Sequence, residues 1–206
     1  MNPGPVEPTS RQDLPVVALV ASAGGLQALS SVLRNLPADL PAAVLIVLHQ
    51  APDAPSRLAD ILDRQTPLPV RQAVDGQRLT PGTVLTTPPG RHLVMVSPQT
   101  VGLIESGDLP PARPSADLLL ATMAATCGAR ALAVVLTGHG TDGQAGVRAI
   151  VRCGGTVFAQ DRPSSTQFAM PHAAIGTGLV HAVLPLDDIA AAIHVHTHPR
   201  PTTASR

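Results

Sequence analysis

The sequence predicts an α/β fold: a doubly wound, mainly parallel sheet flanked by helices, with a small β-hairpin excursion. Three observations predict it. Apolar runs of strand length recur at residues 16–21, 44–48, 131–136 and 156–159, with helical stretches between them. These runs are continuous rather than alternating, as expected of strands buried on both faces. The prospective core is aliphatic, since 44% of the 206 residues are hydrophobic but only 1% are aromatic, with no Trp or Tyr and two Phe.

Taken in order, residues 1–13 read as a disordered lead, Pro-rich and too polar to pack. The run at 16–21 ends on Ser22, and Ala23, Gly24 and Gly25 lead into an amphipathic stretch that ends near Asn35. This is strand, tight turn, helix, with the glycines permitting the sharp turn. Pro37 and Pro41 interrupt the chain before the second strand, which ends on His49. Ser56 is placed to cap a helix through Asp63, and 70–73 reads as a short strand. Between Asp75 and Ile104, glycines and prolines separate brief β-like pieces at 84–86, 92–96 and 101–104, which make up the hairpin excursion. Ser115 is a plausible N-cap for a long helix ended by Gly128, with Asp117 in its first turn, where the helix dipole favours negative charge. The strand at 131–136 runs into the Gly-rich loop 137–143 and a helix to about Cys153. After 156–159, closed by Gln160 and Asp161, Met170-Pro171 starts a helix, 179–183 forms an edge piece and 187–194 a last helix. The folded domain is expected over 14–196, with 197–206 a mobile tail.

Composition narrows the function. Fourteen basic and fourteen acidic residues give no net charge and no basic stripe, and stacking aromatics are scarce, which argues against nucleic-acid binding. The apolar runs are far shorter than a membrane span, and the first residues lack a signal core, so a cytoplasmic protein is expected. Cys127 and Cys153 have neither metal-ligand nor redox spacing and are expected to be reduced.

The strands of a parallel sheet end at one edge, where ligands bind. Ser22 closes the first strand, His49 closes the second, and Asp142 lies in the loop after the third. A hydroxyl, an imidazole and a carboxylate at one rim are the inventory of nucleophile, base and orienting group. Taken singly, each has a structural alternative. Ser22 is equally a phosphate ligand or an N-cap, His49 a partner for a loop carbonyl, and Asp142 a cap for the next helix.

Several motifs then occur in order: Ser22-Ala23-Gly24-Gly25, Leu48-His49, Arg113-Pro114-Ser115-Ala116-Asp117, Leu136-Thr137-Gly138-His139-Gly140-Thr141-Asp142-Gly143, Ala159-Gln160-Asp161, Met170-Pro171 and Val183-Leu184-Pro185-Leu186. Together they resemble the catalytic domain of the bacterial chemotaxis protein-glutamate methylesterases, over about residues 16–193. The resemblance implies a serine hydrolase that demethylates glutamate methyl esters on chemoreceptor cytoplasmic helices, releases methanol, and often deamidates glutamines. It maps the nucleophile onto Ser22, the base onto His49 and the orienting carboxylate onto Asp142, with backbone amides near Ala23 and Gly24 for the oxyanion. It implies no metal or organic cofactor, and the expected state is a monomer.

The chain also departs from the family pattern. Only the 1–13 lead stands where a receiver domain usually precedes the esterase, so control by phosphorylation in cis is not expected. Val20 and Ala23 replace the usual Gly and Thr around the serine, and His139 stands where Met is usual, within reach of Asp142 in sequence. Arg113 is read as a contact for acidic receptor surface or a loop brace, Asp161 as a brace, and His172 and Met170 as structural. His194, His196 and His198 are assigned to a mobile, Pro-rich tail. The competing readings are hydrolysis of a different ester or amide, and a non-catalytic regulatory module of the same fold.

Overall fold

The computed structural model describes residues 14–50, 56–105 and 113–198. The expected lead at 1–13 and the tail beyond His198 lie outside the described residues. Seven strands form one sheet in the order β3-β4-β2-β1-β7-β8-β9, every neighbouring pair parallel. They are β1 (Val16–Ala21), β2 (Ala43–Leu48), β3 (Val70–Gln72), β4 (Val84–Thr86), β7 (Ala131–Val135), β8 (Thr156–Gln160) and β9 (Ala182–Leu184). A separate antiparallel hairpin comprises β5 (Arg91–Ser97) and β6 (Thr100–Glu105). The doubly wound sheet and its hairpin are therefore as the sequence predicts, with one reassignment. Residues 84–86 are not part of the hairpin; they form β4, an inner strand between β2 and β3. Three residues flanked by glycine and prolines look like a hairpin arm locally, and only pairing with the distant 44–46 identifies them as sheet.

The residues of β1 alternate between two cores. Val17, Leu19 and Ala21 pack with α1 (Gly25–Arg34), α2 (Leu58–Asp63) and α6 (Leu186–Thr197). Val16, Ala18 and Val20 pack with α3 (Ala116–Cys127), α4 (Gln144–Arg152), α5 (Ala169–Ile175) and the hairpin. Both faces are covered, which is why the strand runs show no polar alternation. The last helix is longer than expected: α6 reaches Thr197, so His194 and His196 stand on it and His198 is its C-cap. Among the described residues no helix is long and apolar enough to cross a membrane.

The chain order places a switch point between β1 and β7, since β1 connects toward β2 on one side and β7 toward β8 on the other. In such sheets the crevice at the carboxyl ends beside this point is the ligand position.

Candidate active site

Three loops meet at that crevice. Ala21 and Leu48 are register partners at the ends of β1 and β2, so Ser22 and His49 leave adjacent strands side by side. Neighbouring strands lie about 4.8 Å apart, and His49 N donates to Ala21 O at 3.1 Å, which prolongs the pairing to the base of both side chains. On the other flank of β1, Ser22 N donates to Thr137 O at 3.0 Å.

The Ser22 turn is held from beneath. Thr137 Oγ1 accepts the Gln167 N–H at 2.8 Å and donates to Ala23 O at 3.0 Å, with Gln167 O a second acceptor at 3.1 Å. The Thr137 N–H in turn donates to Oε1 of the fully buried Gln160 at 2.8 Å. Two glycines make this approach possible. Gly24 has φ +78°, and a Cβ there would meet the Thr166 Cβ at 2.7 Å. A Cβ on Gly138 would strike Met170 Sδ and the Ser22 Cβ and amide. Gly24 is the N-cap of α1, and the first amide of that helix, Gly25 N–H, donates to Ser22 O at 2.8 Å, so the helix N-terminus starts at the Ser22 turn.

His49 and Asp142 are bonded directly, Nε2 to Oδ2 at 2.8 Å. The carboxylate also caps α3. Oδ2 accepts the Ala116 N–H at 2.6 Å, and Oδ1 accepts the Asp117 N–H and the Ser115 hydroxyl, both at 3.1 Å. Burial alone would raise the Asp142 carboxyl. The hydrogen bonds from His49, Ala116 and Asp117 and the charge of His49 outweigh burial and hold it below its ordinary value. A carboxylate fixed by four donors stays ionised and points one way.

The capping is reciprocal. Asp117, in the first turn of α3, accepts the Gly146 N–H at 2.7 Å and so serves the N-terminus of α4, whose own N-cap Gly143 has no side chain. Thus the loop before α4 caps α3 and the start of α3 caps α4. Burial raises the Asp117 carboxyl; the Gly146 amide opposes this and the neighbouring Asp142 charge adds to it.

A family model for CheB methylesterase matches residues 17–193. The chain belongs to the CheB methylesterase family. It is 43% identical over 190 residues to the protein-glutamate methylesterase/protein-glutamine glutaminase of Moorella thermoacetica, covering 90% of this chain and 45% of that protein. It is 39% identical over 183 residues to the corresponding group 3 operon protein of Rhizobium meliloti, covering 89% of this chain and 52% of that one. The crystal structure of the Thermotoga maritima CheB methylesterase catalytic domain superposes with a TM-score of 0.83 at 32% identity, over 88% of this chain and 98% of that one. The chain spans about half the length of the curated relatives it matches.

Within this CheB-family domain the predicted residues fall into two groups. Ser22, Ala23, Gly24, His49 and Asp142 share the crevice. Arg113 lies beside it, half-buried, its carbonyl accepting the Gln50 N–H at 3.2 Å. His139 is exposed on the 137–143 loop, and the Asp142 oxygens bond to His49 and the first residues of α3. Asp161 braces its own turn through the Ser164 amide and hydroxyl, and Met170 is buried under Gly138. Among the described residues no cluster of three or more His, Cys, Asp or Glu is arranged to hold a metal ion.

Sequence reasoning missed Thr137, Gln160 and His92. Gln160 ends β8 and Thr137 follows β7 by two residues at the same edge, so the rule that picked out Ser22 and His49 applies to them too. His92 had no such signal, being a polar residue beside Arg91 at the start of a hairpin strand.

Proposed function

We propose that this domain is a protein-glutamate methylesterase. It hydrolyses glutamate methyl esters on the cytoplasmic helices of chemoreceptors, and the same site deamidates glutamine side chains. The observation that carries the reading is the 2.8 Å His49–Asp142 bond standing beside Ser22 at the switch point. The names of the relatives supply the substrate class.

The geometry supports the following mechanism. With Nε2 bound to Asp142, His49 has Nδ1 left to take the Ser22 hydroxyl proton as Oγ attacks the ester carbonyl. The amides around Ala23 and Gly24, at the positive end of α1, receive the oxyanion. The tetrahedral intermediate collapses, His49 returns its proton to the departing methoxide, and methanol leaves a glutamyl ester on Ser22. Water, deprotonated by His49, then attacks that ester and releases glutamate and the Ser22 hydroxyl. Asp142, kept ionised by its donors, stabilises the imidazolium in both halves. With glutamine the leaving group is ammonia and the remaining steps are the same.

Methanol release from methylated chemoreceptor, measured for the protein and for Ser22→Ala, tests the reading. Loss of the nucleophile is expected to lower turnover on the order of 10⁴- to 10⁶-fold. Turnover surviving in Ser22→Ala would overturn the assignment of the nucleophile. Hydrolysis of a simple ester without any release from receptor would overturn the substrate.

A further inference from the structure

Three hydrogen bonds run in series from the hairpin to His49. His92 of β5, only 4% exposed, accepts the Ser115 N–H at Nδ1 over 2.9 Å. Ser115 Oγ donates to Asp142 Oδ1 at 3.1 Å, and Asp142 Oδ2 meets His49 Nε2 at 2.8 Å. Ser115 is the N-cap of α3, with extended backbone (φ −85°, ψ 127°), so its N–H lies outside the helix ladder. Its acceptor comes from a strand 23 residues earlier. The amides of Ala116 and Asp117, which also bind Asp142, follow Ser115 directly along the chain. A shift of the cap therefore moves three of the four donors that hold the carboxylate.

We propose that His92 is a positioning residue for the esterase reaction: its unprotonated Nδ1 fixes the N-cap of α3, and the cap holds Asp142 against His49. The proposal rests on the Ser22–His49–Asp142 reading above.

A backbone N–H can only donate, so His92 is required as an acceptor, with its single ring proton on Nε2. A proton added at Nδ1 would set donor against donor and break the first link of the series. Burial lowers the His92 pKa; the Asp142 charge opposes this, and Arg113 adds to the lowering. The other charged groups on the packed elements are engaged elsewhere. Asp117 of α3 is on the Gly146 amide, and Arg91 and Glu105 of the hairpin pair with each other at 3.3 Å. The acceptor form thus persists at neutral pH and is lost in acid.

The test compares wild type, Ser22→Ala, His92→Leu and His92→Asn, each checked for folding by thermal melt. Asparagine presents an acceptor oxygen near the place of Nδ1 and does not titrate; leucine presents none. His92→Leu is expected to lower kcat on the order of 10- to 100-fold with KM within about twofold, as for a displaced catalytic geometry. His92→Asn is expected to keep kcat within about threefold at neutral pH and to change the acid limb. In wild type, the acid limb of log kcat/KM should be steeper than in His92→Asn by the one proton that His92 takes up. A folded His92→Leu with wild-type kcat, or a His92→Asn acid limb identical to wild type, would overturn the proposal. If His92→Leu does not fold, the His92→Asn slope decides alone. Turnover retained by Ser22→Ala would instead strike the underlying catalytic reading, independently of His92.

Discussion

At the carboxyl edge of the sheet, polar side chains bond to one another: His49 to Asp142, and Asp142 to Ser115. At the amino edge lies a cavity of about 940 Å³, lined by Leu14, Pro15, Leu40, Pro81, Arg78 and Arg130 among others. Arg130 there donates to the carbonyls of Leu14 (2.7 Å) and Thr126 (3.4 Å), and Arg78 to the Gln99 side chain (3.1 Å). One edge has a carboxylate and an imidazole aligned. The other has volume, and its cations close the chain onto itself. On the proposed reading the chemistry belongs to the aligned network rather than the cavity, because a reacting group needs a partner that changes with the reaction, and a guanidinium bracing backbone carbonyls has none.

The sharpest break of this contrast is Asp142→Asn. The carboxylate accepts four hydrogen bonds, two on each oxygen. An amide offers one acceptor oxygen and must turn its NH₂ toward either His49 or the α3 amides, all of which need acceptors. We expect kcat to fall on the order of 10³- to 10⁴-fold, since the imidazole loses both its tautomer and the charge that stabilises it. Stability should fall by about 1–3 kcal/mol from the donors left unpaired. Steady-state kinetics and urea unfolding check both values; near-wild-type turnover would place the chemistry away from this edge.

The second effect is smaller and concerns the reciprocal caps. Asp117→Ala removes the side-chain acceptor from α4 and should cost about 0.5–2 kcal/mol, whereas Asp117→Asn keeps an oxygen for Gly146 N and should cost less. Their pH signatures have opposite signs. The lowered Asp142 pKa contributes stability that is present above its unfolded value of 3.8 and is lost as pH falls through its folded value. The raised Asp117 pKa means that ionisation is harder in the folded chain, so stability declines as pH rises from 3.8 through its folded value. Asp117→Asn should remove that decline while leaving the loss in stronger acid. Unfolding free energies from pH 3 to 7 measure it, and an unchanged profile would mean that Asp117 is not strained by burial.

The strands that built the carboxyl edge were legible because each is a continuous aliphatic run, and Ser22 and His49 were legible because each is the first polar residue after one. Asp142 came from its loop by the same edge rule. What was not legible depends on distant partners. Residues 84–86 carry no local sign that they join β2 rather than the hairpin. Asp117 reads locally as a charge for its own helix dipole, yet it caps α4. His92 reads as part of the polar start of a hairpin strand until the fold brings Ser115 to it. The alternating His194, His196 and His198 before the prolines read as tail, with the helix ending at 194, but Ile189, Ile193 and Thr197 are buried and α6 continues to Thr197.

The smallest effect belongs to the amino edge and completes the contrast. Arg130→Met keeps the apolar length of the side chain and removes its bonds to Leu14 O and Thr126 O. The group is partly exposed, so water replaces much of what is lost, and the cost should be about 1 kcal/mol or less. Turnover on receptor or on a simple ester should stay within about twofold, because Arg130 precedes β7 while Thr137 and Asp142 follow it, at opposite ends of the strand. The two edges are joined by the rigid β1 and β7 ladder, in which every residue from Val16 to Val20 is register-paired with Ala131 to Val135. A large fall in kcat from Arg130→Met would show that the ladder transmits strain between its ends, so that the cavity and the crevice work as one device. An unchanged kcat with a slightly lower melting temperature would leave the amino edge as structure alone.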